Sequence, residues 1–472
     1  MNDSFDLVIV GMGSGGMTAA EFAAGLGVRV AVVERGRVGG DCLWTGCVPS
    51  KALLASAKAA HTMRHADRYG IGAVEPAIDT AVVWDRIRRI QQEIAVGEDD
   101  PDRYRAMGVE IIEGTAAVTG PTEVTVDGRR VLHTRFVLLC TGSRPMAPKI
   151  PGLEDAGYLT SENLFELSSV PSSMVMIGGG PIAMEMAQAF TRLGIRTTVL
   201  QKGPAILPKD EPALVEILQR NLLAEGLNLQ LGVTTDRVTV EATGKTVHGT
   251  IGGSAQSWTA EEIFIAVGRA PNLEGLGLES VEITVGPRGI EVDDRMRTST
   301  PSIYAAGDVA GRYLFTHSAG YEAVRAVRDM FFPGKGKADS SVPWCTFTDP
   351  ELAHAGLTVE EAEARYGNEV QVWRQDLVHS DRARADSATS GAIMIVTATK
   401  KNRVVGAHIL APSAGEMIHE LALAIREEIS FSSLGALIHV YPTLSTGIYQ
   451  LAGEAAFEKA ESFRWLVKKG KR

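Results

Sequence analysis

The chain has 472 residues, with 47 Lys and Arg against 57 Asp and Glu for a formal charge of −10, and is 45% hydrophobic. That length accommodates about three domains with a core in each, which excludes general disorder, and the acidic balance disfavours nucleic acid while leaving a small anionic cofactor open. Four cysteines cannot staple a secreted scaffold of this size, no apolar run reaches a membrane span of about 18 residues, and the N-terminus shows no secretory signal, so a cytoplasmic protein with no membrane partner is expected.

The first forty residues predict strand, glycine turn, helix and strand: apolar 5–10, then Gly11-Met12-Gly13-Ser14-Gly15-Gly16, an Ala-rich stretch, and 28–33. Gly11, Gly13 and Gly16 give GxGxxG directly after a strand, where the backbone can approach a pyrophosphate and the following helix N-terminus stabilises its charge. Glu34 stands 23 residues after Gly11, where a carboxylate can accept from ribose hydroxyls, with Arg35 beside it. Gly11, Gly13, Ser14, Gly15, Gly16, Glu34 and Arg35 are the first candidate cofactor-binding residues.

Next comes Gly39-Gly40-Asp41-Cys42-Leu43-Trp44-Thr45-Gly46-Cys47-Val48-Pro49-Ser50-Lys51. Residues five apart sit about 140° apart on a regular helix, so joining Cys42 to Cys47 requires a distorted first turn, which Gly46 permits. A bridge closing so short a loop can open and reclose without unfolding the chain, and a helix N-terminus with Lys51 nearby favours a thiolate. The competing readings are a zinc site and two inert thiols. Zinc is disfavoured because Cys140 and Cys345 stand alone in sequence, each in an apolar setting, so no metal site is expected.

A helical segment and short strands at 109–112 and 136–139 follow, and the Pro-rich 145–151 predicts a linker. A second βαβ unit is expected from strand 174–177, Gly178-Gly179-Gly180-Pro181-Ile182-Ala183, a helix over about 184–193 and strand 197–200. Its ribose position carries Gln201-Lys202 in place of an acid. Lys202 can pair with a 2′-phosphate, which favours NADPH over NADH, unless it simply points into solvent. Strands at 263–267 and 302–306 end in Gly268-Arg269 and Gly307-Asp308, a second linker is expected at 333–341, and the remainder mixes strands 392–397 and 404–410 with a helix at 415–428.

These residues resemble the pyridine nucleotide-disulfide oxidoreductases, among them dihydrolipoamide dehydrogenase, glutathione reductase and mercuric reductase. The resemblance covers essentially the whole chain, and its motif, Gly39-Gly40-x-Cys42-x4-Cys47-x-Pro49-Ser50-Lys51, looks nearest to the mercuric reductase and dihydrolipoamide dehydrogenase branches, with Asp41 and Trp44 departing from the usual Thr and Asn. It implies an α/β fold: two Rossmann-like dinucleotide-binding domains plus a C-terminal α+β dimerisation domain. FAD would be held by 1–150 and 276–340, NAD(P)H by 151–275, and a homodimer formed through 341–472. It also implies roles for single residues. Gly40, Asp41, Ala116, Thr141, Gly142, Asp308 and the segment Leu314, Phe315, Thr316, His317 would contact the flavin nucleotide, and Gly178, Gly180, Gln201, Lys202 and Gly268 the nicotinamide nucleotide. Glu185 would pair with Lys51, Cys47 would be the thiolate facing FAD, and Cys42 would meet the substrate.

The pattern breaks near the C-terminus. Family members that reduce organic disulfides carry His-Pro-x-x-x-Glu, whereas this chain has Tyr441 at the histidine and Thr446 at the glutamate. Tyr, with an ordinary pKa near 10, is a poor proton donor at neutral pH. His439 lies about 7 Å away along an extended segment and is read as structural. Tyr at this position resembles mercuric reductase, yet the tail lacks that enzyme's cysteine pair. The expectation is an NAD(P)H-dependent enzyme that passes electrons through FAD and Cys42/Cys47 to a metal ion, quinone or other small acceptor. The alternatives are a disulfide reductase using His439, Tyr441 or water, and a flavin-binding scaffold with little turnover.

Overall fold

A computed structural model of the chain describes residues 3–334, 341–398, 401–461 and 464–466. The terminal residues 468–472 and most of the expected linker at 333–341 lie outside the described residues. Contacts gather the chain into two compact units, one of residues 1–53, 79–170 and 263–340, the other of residues 54–78, 171–262 and 341–472.

The first unit is built on β1 (Ser4–Val10), α1 (Ser14–Gly25) and β2 (Val30–Glu34), followed by β3 (Glu110–Glu113), β4 (Ala116–Gly120), β5 (Glu123–Val126) and β6 (Arg130–Leu139). Its sheet runs β3-β2-β1-β6-β5-β4, with Ile303–Ala305 paired parallel to β6 as a seventh strand. β1 lies parallel to both β2 and β6, and its apolar run Leu7, Val8, Ile9 and Val10 is what a strand covered on both faces requires. Alternate residues serve opposite cores: Leu7, Ile9, Val30 and Val32 pack with Ala19, Ala20 and Ala23 of α1, while Val8, Val10, Ala31 and Val33 pack with Val124 and Val137.

The segment around the two cysteines differs from expectation. The pair does not share one distorted helix: α2 (Gly40–Trp44) ends after Cys42, and α3 (Cys47–Arg64) begins at Cys47. Thr45 and Gly46 make the break. A Cβ on Gly46 would sit 2.9 Å from the Asp41 carbonyl oxygen, so this close chain reversal requires glycine. The long helix α4 (Thr80–Ala95), capped by the Asp79 carboxylate, buries Trp84, Ile87 and Gln91 along one face.

The second unit holds the other βαβ pattern. Strands Ser173–Ile177, Arg196–Gln201 and Asn228–Leu231 are parallel neighbours, and helix Pro181–Arg192 follows the first of them with Pro in its opening turn. An antiparallel meander over Val233–Glu241, Gly244–Ile251 and Ser254–Ala260 comes next. The C-terminal part is a five-stranded antiparallel sheet in the order Trp344–Thr346, Glu351–Gly356, Arg403–Ala411, Ala392–Ala398, Gln371–Asp376. Helices Ala414–Arg426 and Thr446–Glu461 contribute Met417, Ile418, Leu421, Ile448 and Leu451 to its core. Among the described residues no helix is long and apolar enough to cross a membrane.

Candidate active site

The first glycine turn is shaped by steric necessity. Gly11 has φ +97 and a Cβ there would lie 2.5 Å from the Cys140 carbonyl oxygen, while a Cβ on Gly16 would overlap the Gly11 carbonyl oxygen. Gly13 caps α1 in extended conformation without any side-chain cap bond, so the first amides of a 12-residue helix stay open to an anion, with Ser14 and Gly15 in the opening turn. Gly40 packs against that turn, since a Cβ on it would come 2.8 Å from the Gly13 Cα. At the end of β2, Glu34 accepts from the Met12 amide at 2.5 Å and the Gly36 amide at 2.8 Å, which fixes its carboxylate beside the turn, and Arg35 is exposed.

The later flavin candidates of this unit are joined by hydrogen bonds. Thr141 donates to the Asn272 carbonyl at 2.8 Å, the Asn272 amide nitrogens return bonds to Thr141 and Gly142, and Gly142 has φ +68. Asp308, half-buried in the turn Gly307–Ala310, accepts from the Ser143 hydroxyl. Burial pushes the Asp308 carboxyl up, against the pull of Ser143 and Arg269. Arg269 donates to the Ser143 hydroxyl at 2.7 Å and pairs with Asp41 at 3.1 Å, which ties the cysteine segment to the Asp308 turn. Ala116 is buried at the start of β4, and Gly268, at φ +138, accepts from the Met146 amide at 2.9 Å. Leu314, Thr316 and His317 are exposed, and the Phe315 ring stacks on His317 at 5.3 Å.

Cys42 and Cys47 are both free thiols, hydrogen-bonded to each other. That bond, together with burial, drives the Cys42 thiol far above the ordinary range. Cys47 moves the other way, to about 6: the bond from Cys42 lowers it most, burial opposes, and Thr316 and the Lys51 charge lower it further, with Asp41 acting against them. The Thr316 hydroxyl lies 3.3 Å from the Cys47 sulfur, and both Cys47 and Thr316 open helices, whose N-terminal dipoles favour a thiolate. A cavity of about 440 Å³ reaches Cys42 and is lined also by Ser14, Glu21, Asp99, Tyr104 and Thr316. Cys140 is buried with its thiol pushed up by desolvation, and Cys345 packs against the C-terminal core, as their apolar sequence settings suggested.

In the second unit, Gly178 has φ +121 and Gly180 caps helix Pro181–Arg192 with no side-chain bond and open space where its Cβ would be. The Gln201 side chain folds over Gly179 and donates to the Ala205 carbonyl at 3.0 Å, and Lys202 is exposed. Glu185 is buried on that helix and accepts from the Phe347 amide at 2.9 Å. Tyr441 is exposed and donates to Asp381 at 2.9 Å, a bond that raises its pKa still further. Thr446 accepts from the Thr443 amide and bonds the Val440 carbonyl, so the residue in the glutamate position serves to close a turn. The His439 side chain is buried between the Glu420 carboxylate, 3.1 Å from Nε2, and the Leu437 carbonyl.

Sequence reasoning missed two residues of the first unit. Arg269 followed a noted glycine without an assigned role, and its partners Asp41, Ser143 and Asp308 are remote in sequence. Gln91 had a readable signal, a polar residue in register with Trp84 and Ile87 on the apolar face of α4.

Residues 5–323 match the model of the pyridine nucleotide-disulphide oxidoreductases, and residues 342–452 match that family's dimerisation domain. The chain belongs to this family. Mercuric reductase of Bacillus cereus is 34% identical over 449 residues, 95% of this chain and 71% of that protein. Dihydrolipoyl dehydrogenase of Chlorobaculum tepidum is 34% identical over 468 residues, 97% of each. A solved Cu(II) complex of the HOCl-induced flavoprotein disulfide reductase RclA from Escherichia coli superposes with a TM-score of 0.84 at 26% identity, covering 96% of this chain and all of that one. Members of this family are flavin enzymes that use FAD and a pyridine nucleotide. The uncapped α1, the glycines that no Cβ can replace and the anchored Glu34 fit an FAD pyrophosphate and ribose.

Proposed function

We propose that this oxidoreductase takes electrons from NADPH and delivers them through Cys42 and Cys47 to a metal ion, a quinone or another small acceptor. The single observation that carries this reading is the pairing of a Cys47 sulfur set at a helix N-terminus, 3.3 Å from the Thr316 hydroxyl, with a tyrosine, bonded to Asp381, at the position of the proton-donating histidine. FAD, which the Gly11, Gly13 and Gly16 turn and Glu34 would hold, would supply the two-electron relay between the nicotinamide nucleotide and the Cys42–Cys47 disulfide. Cys47 leaves as the stabilised thiolate when that S–S bond opens, and Cys42 takes the proton, as their opposite pKa shifts require. Lys51 holds the Cys47 charge.

Cys42 opens into the cavity, where Glu21, Glu98 and Asp99 outnumber Arg103, which suits a cation better than an acidic disulfide. The Cu(II) complex of RclA supports a metal-ion acceptor. The dimerisation domain supports a homodimer.

Turnover of Cu(II) and a quinone, compared with lipoamide and glutathione disulfide, tests the acceptor. The disulfides are expected to react slower by about 100-fold or more, the usual worth of a positioned general acid, and Tyr441→His should raise their rates selectively. Efficient disulfide reduction that falls when Tyr441 is replaced would instead establish a disulfide reductase. For the nucleotide, Lys202→Glu should raise KM for NADPH about tenfold and leave NADH nearly unchanged. Equal effects on both cofactors would remove Lys202 from 2′-phosphate recognition.

A further inference from the structure

We infer that Gln91 is a positioning residue of the redox centre, and that its amide sets the dithiol–disulfide equilibrium of Cys42 and Cys47. The inference rests on the proposed redox role of that pair. α2 is a five-residue helix, too short to satisfy its own last carbonyls, and it ends between the two cysteines. Gln91 Nε2 donates to the Leu43 carbonyl at 3.0 Å and to the Trp44 carbonyl at 2.8 Å, the two residues that directly follow Cys42. Its side chain arrives from α4, more than forty residues away in sequence, and is 5% exposed, on the same buried face of that helix as Trp84 and Ile87.

One amide thus fixes the Leu43 and Trp44 carbonyls of the loop that joins the two sulfurs. Trp44 adds a second restraint through its indole N–H on the Val38 carbonyl at 2.8 Å and the Arg37 guanidinium 4.0 Å above its ring. That restraint acts at the outer side of the loop, whereas Gln91 holds the main chain between the sulfurs. Holding two reacting groups together raises their effective concentration, so the clamp favours the closed disulfide. Without it the loop gains freedom in the dithiol form and the disulfide becomes easier to reduce.

The test equilibrates purified FAD-loaded enzyme with dithiothreitol and its cyclic disulfide. The Cys42–Cys47 S–S bond breaks and its two sulfurs gain one electron each, Cys42 taking a proton and Cys47 staying a thiolate above about pH 6, while dithiothreitol loses two electrons and two protons, the second proton going to solvent, and closes its ring. Acid quenching, maleimide trapping and mass measurement then count the thiols. Gln91→Met keeps length and bulk but removes both donors, and it should shift the equilibrium about tenfold toward the dithiol, or about 30 mV for this two-electron couple. Gln91→Asn keeps the amide one methylene short and should shift it in the same direction by less. Flavin content and the rate of flavin reduction by NADPH should stay as in the wild type, whereas a merely structural role would lower the melting temperature and leave the thiol count unchanged. An equilibrium within twofold of wild type in whichever variant folds, or a shift toward the disulfide, would overturn the proposal. Absence of any reducible Cys42–Cys47 disulfide in the wild type would overturn the underlying redox reading as well.

Discussion

Cys42 and Cys47 are chemically alike, but what surrounds each sulfur pushes their thiol pKa values in opposite directions. Cys47 receives the Cys42 hydrogen bond, Thr316 and the Lys51 charge, while Cys42 is the donor and is desolvated. Because the Cys47 pKa lies below the ordinary thiol value, its thiolate should be present above about 6 and be lost as pH falls through that value. Alkylation of the reduced enzyme by iodoacetamide should therefore be selective for Cys47 and titrate near pH 6, and Lys51→Met should move the midpoint upward. A midpoint at the ordinary thiol pKa, or preferential labelling of Cys42, would contradict this assignment. The pair and Lys51 were legible because they lie within ten residues. Asp41 was noted as a departure from the usual threonine and as a flavin contact, and its tie to Arg269 was hidden because that partner is more than two hundred residues distant.

At the scale of elements, the two glycine turns were legible because GxGxxG between an apolar run and a helix satisfies several constraints at once, and both turns stand where expected. The cysteine segment was legible as chemistry but not as geometry, since nothing in its spacing distinguishes one bent helix from two. The meander at 233–260 was not anticipated, because its exposed strands carry few apolar residues to mark a period. Helix Pro181–Arg192 is held by an ion cluster that sequence could not reveal: buried Arg192 binds Glu225 through both ends of its guanidinium at 2.7 Å and Asp349 at 2.8 Å. Arg192→Leu leaves the largely desolvated Glu225 carboxylate without its cation and Asp349 with Lys58 alone, at 3.2 Å, and should cost about 3–5 kcal/mol of stability. Denaturant unfolding followed by circular dichroism checks this, and a loss below about 1 kcal/mol would show that the cluster is well solvated.

For the whole molecule, the division of chemistry follows the two compact units. The first carries the flavin candidates, the thiol pair and the cavity at Cys42, while the second carries the other glycine turn, Lys202, Glu185 and the C-terminal domain with Tyr441. Family membership and the broad reaction were legible from motifs that few other arrangements satisfy. The acceptor was not, because side chains such as Glu21, Asp99 and Asp381 are brought to a cavity or a loop only by folding. The central claim is that electrons pass through Cys42 and Cys47, and an anaerobic titration of the flavin-loaded protein with NADPH, in wild type and Cys47→Ser, tests it most directly. A long-wavelength charge-transfer band that forms in the wild type and is absent from Cys47→Ser is the predicted result. Flavin bleaching with no such band in the wild type would contradict the account and leave a flavin reductase that does not use its thiols.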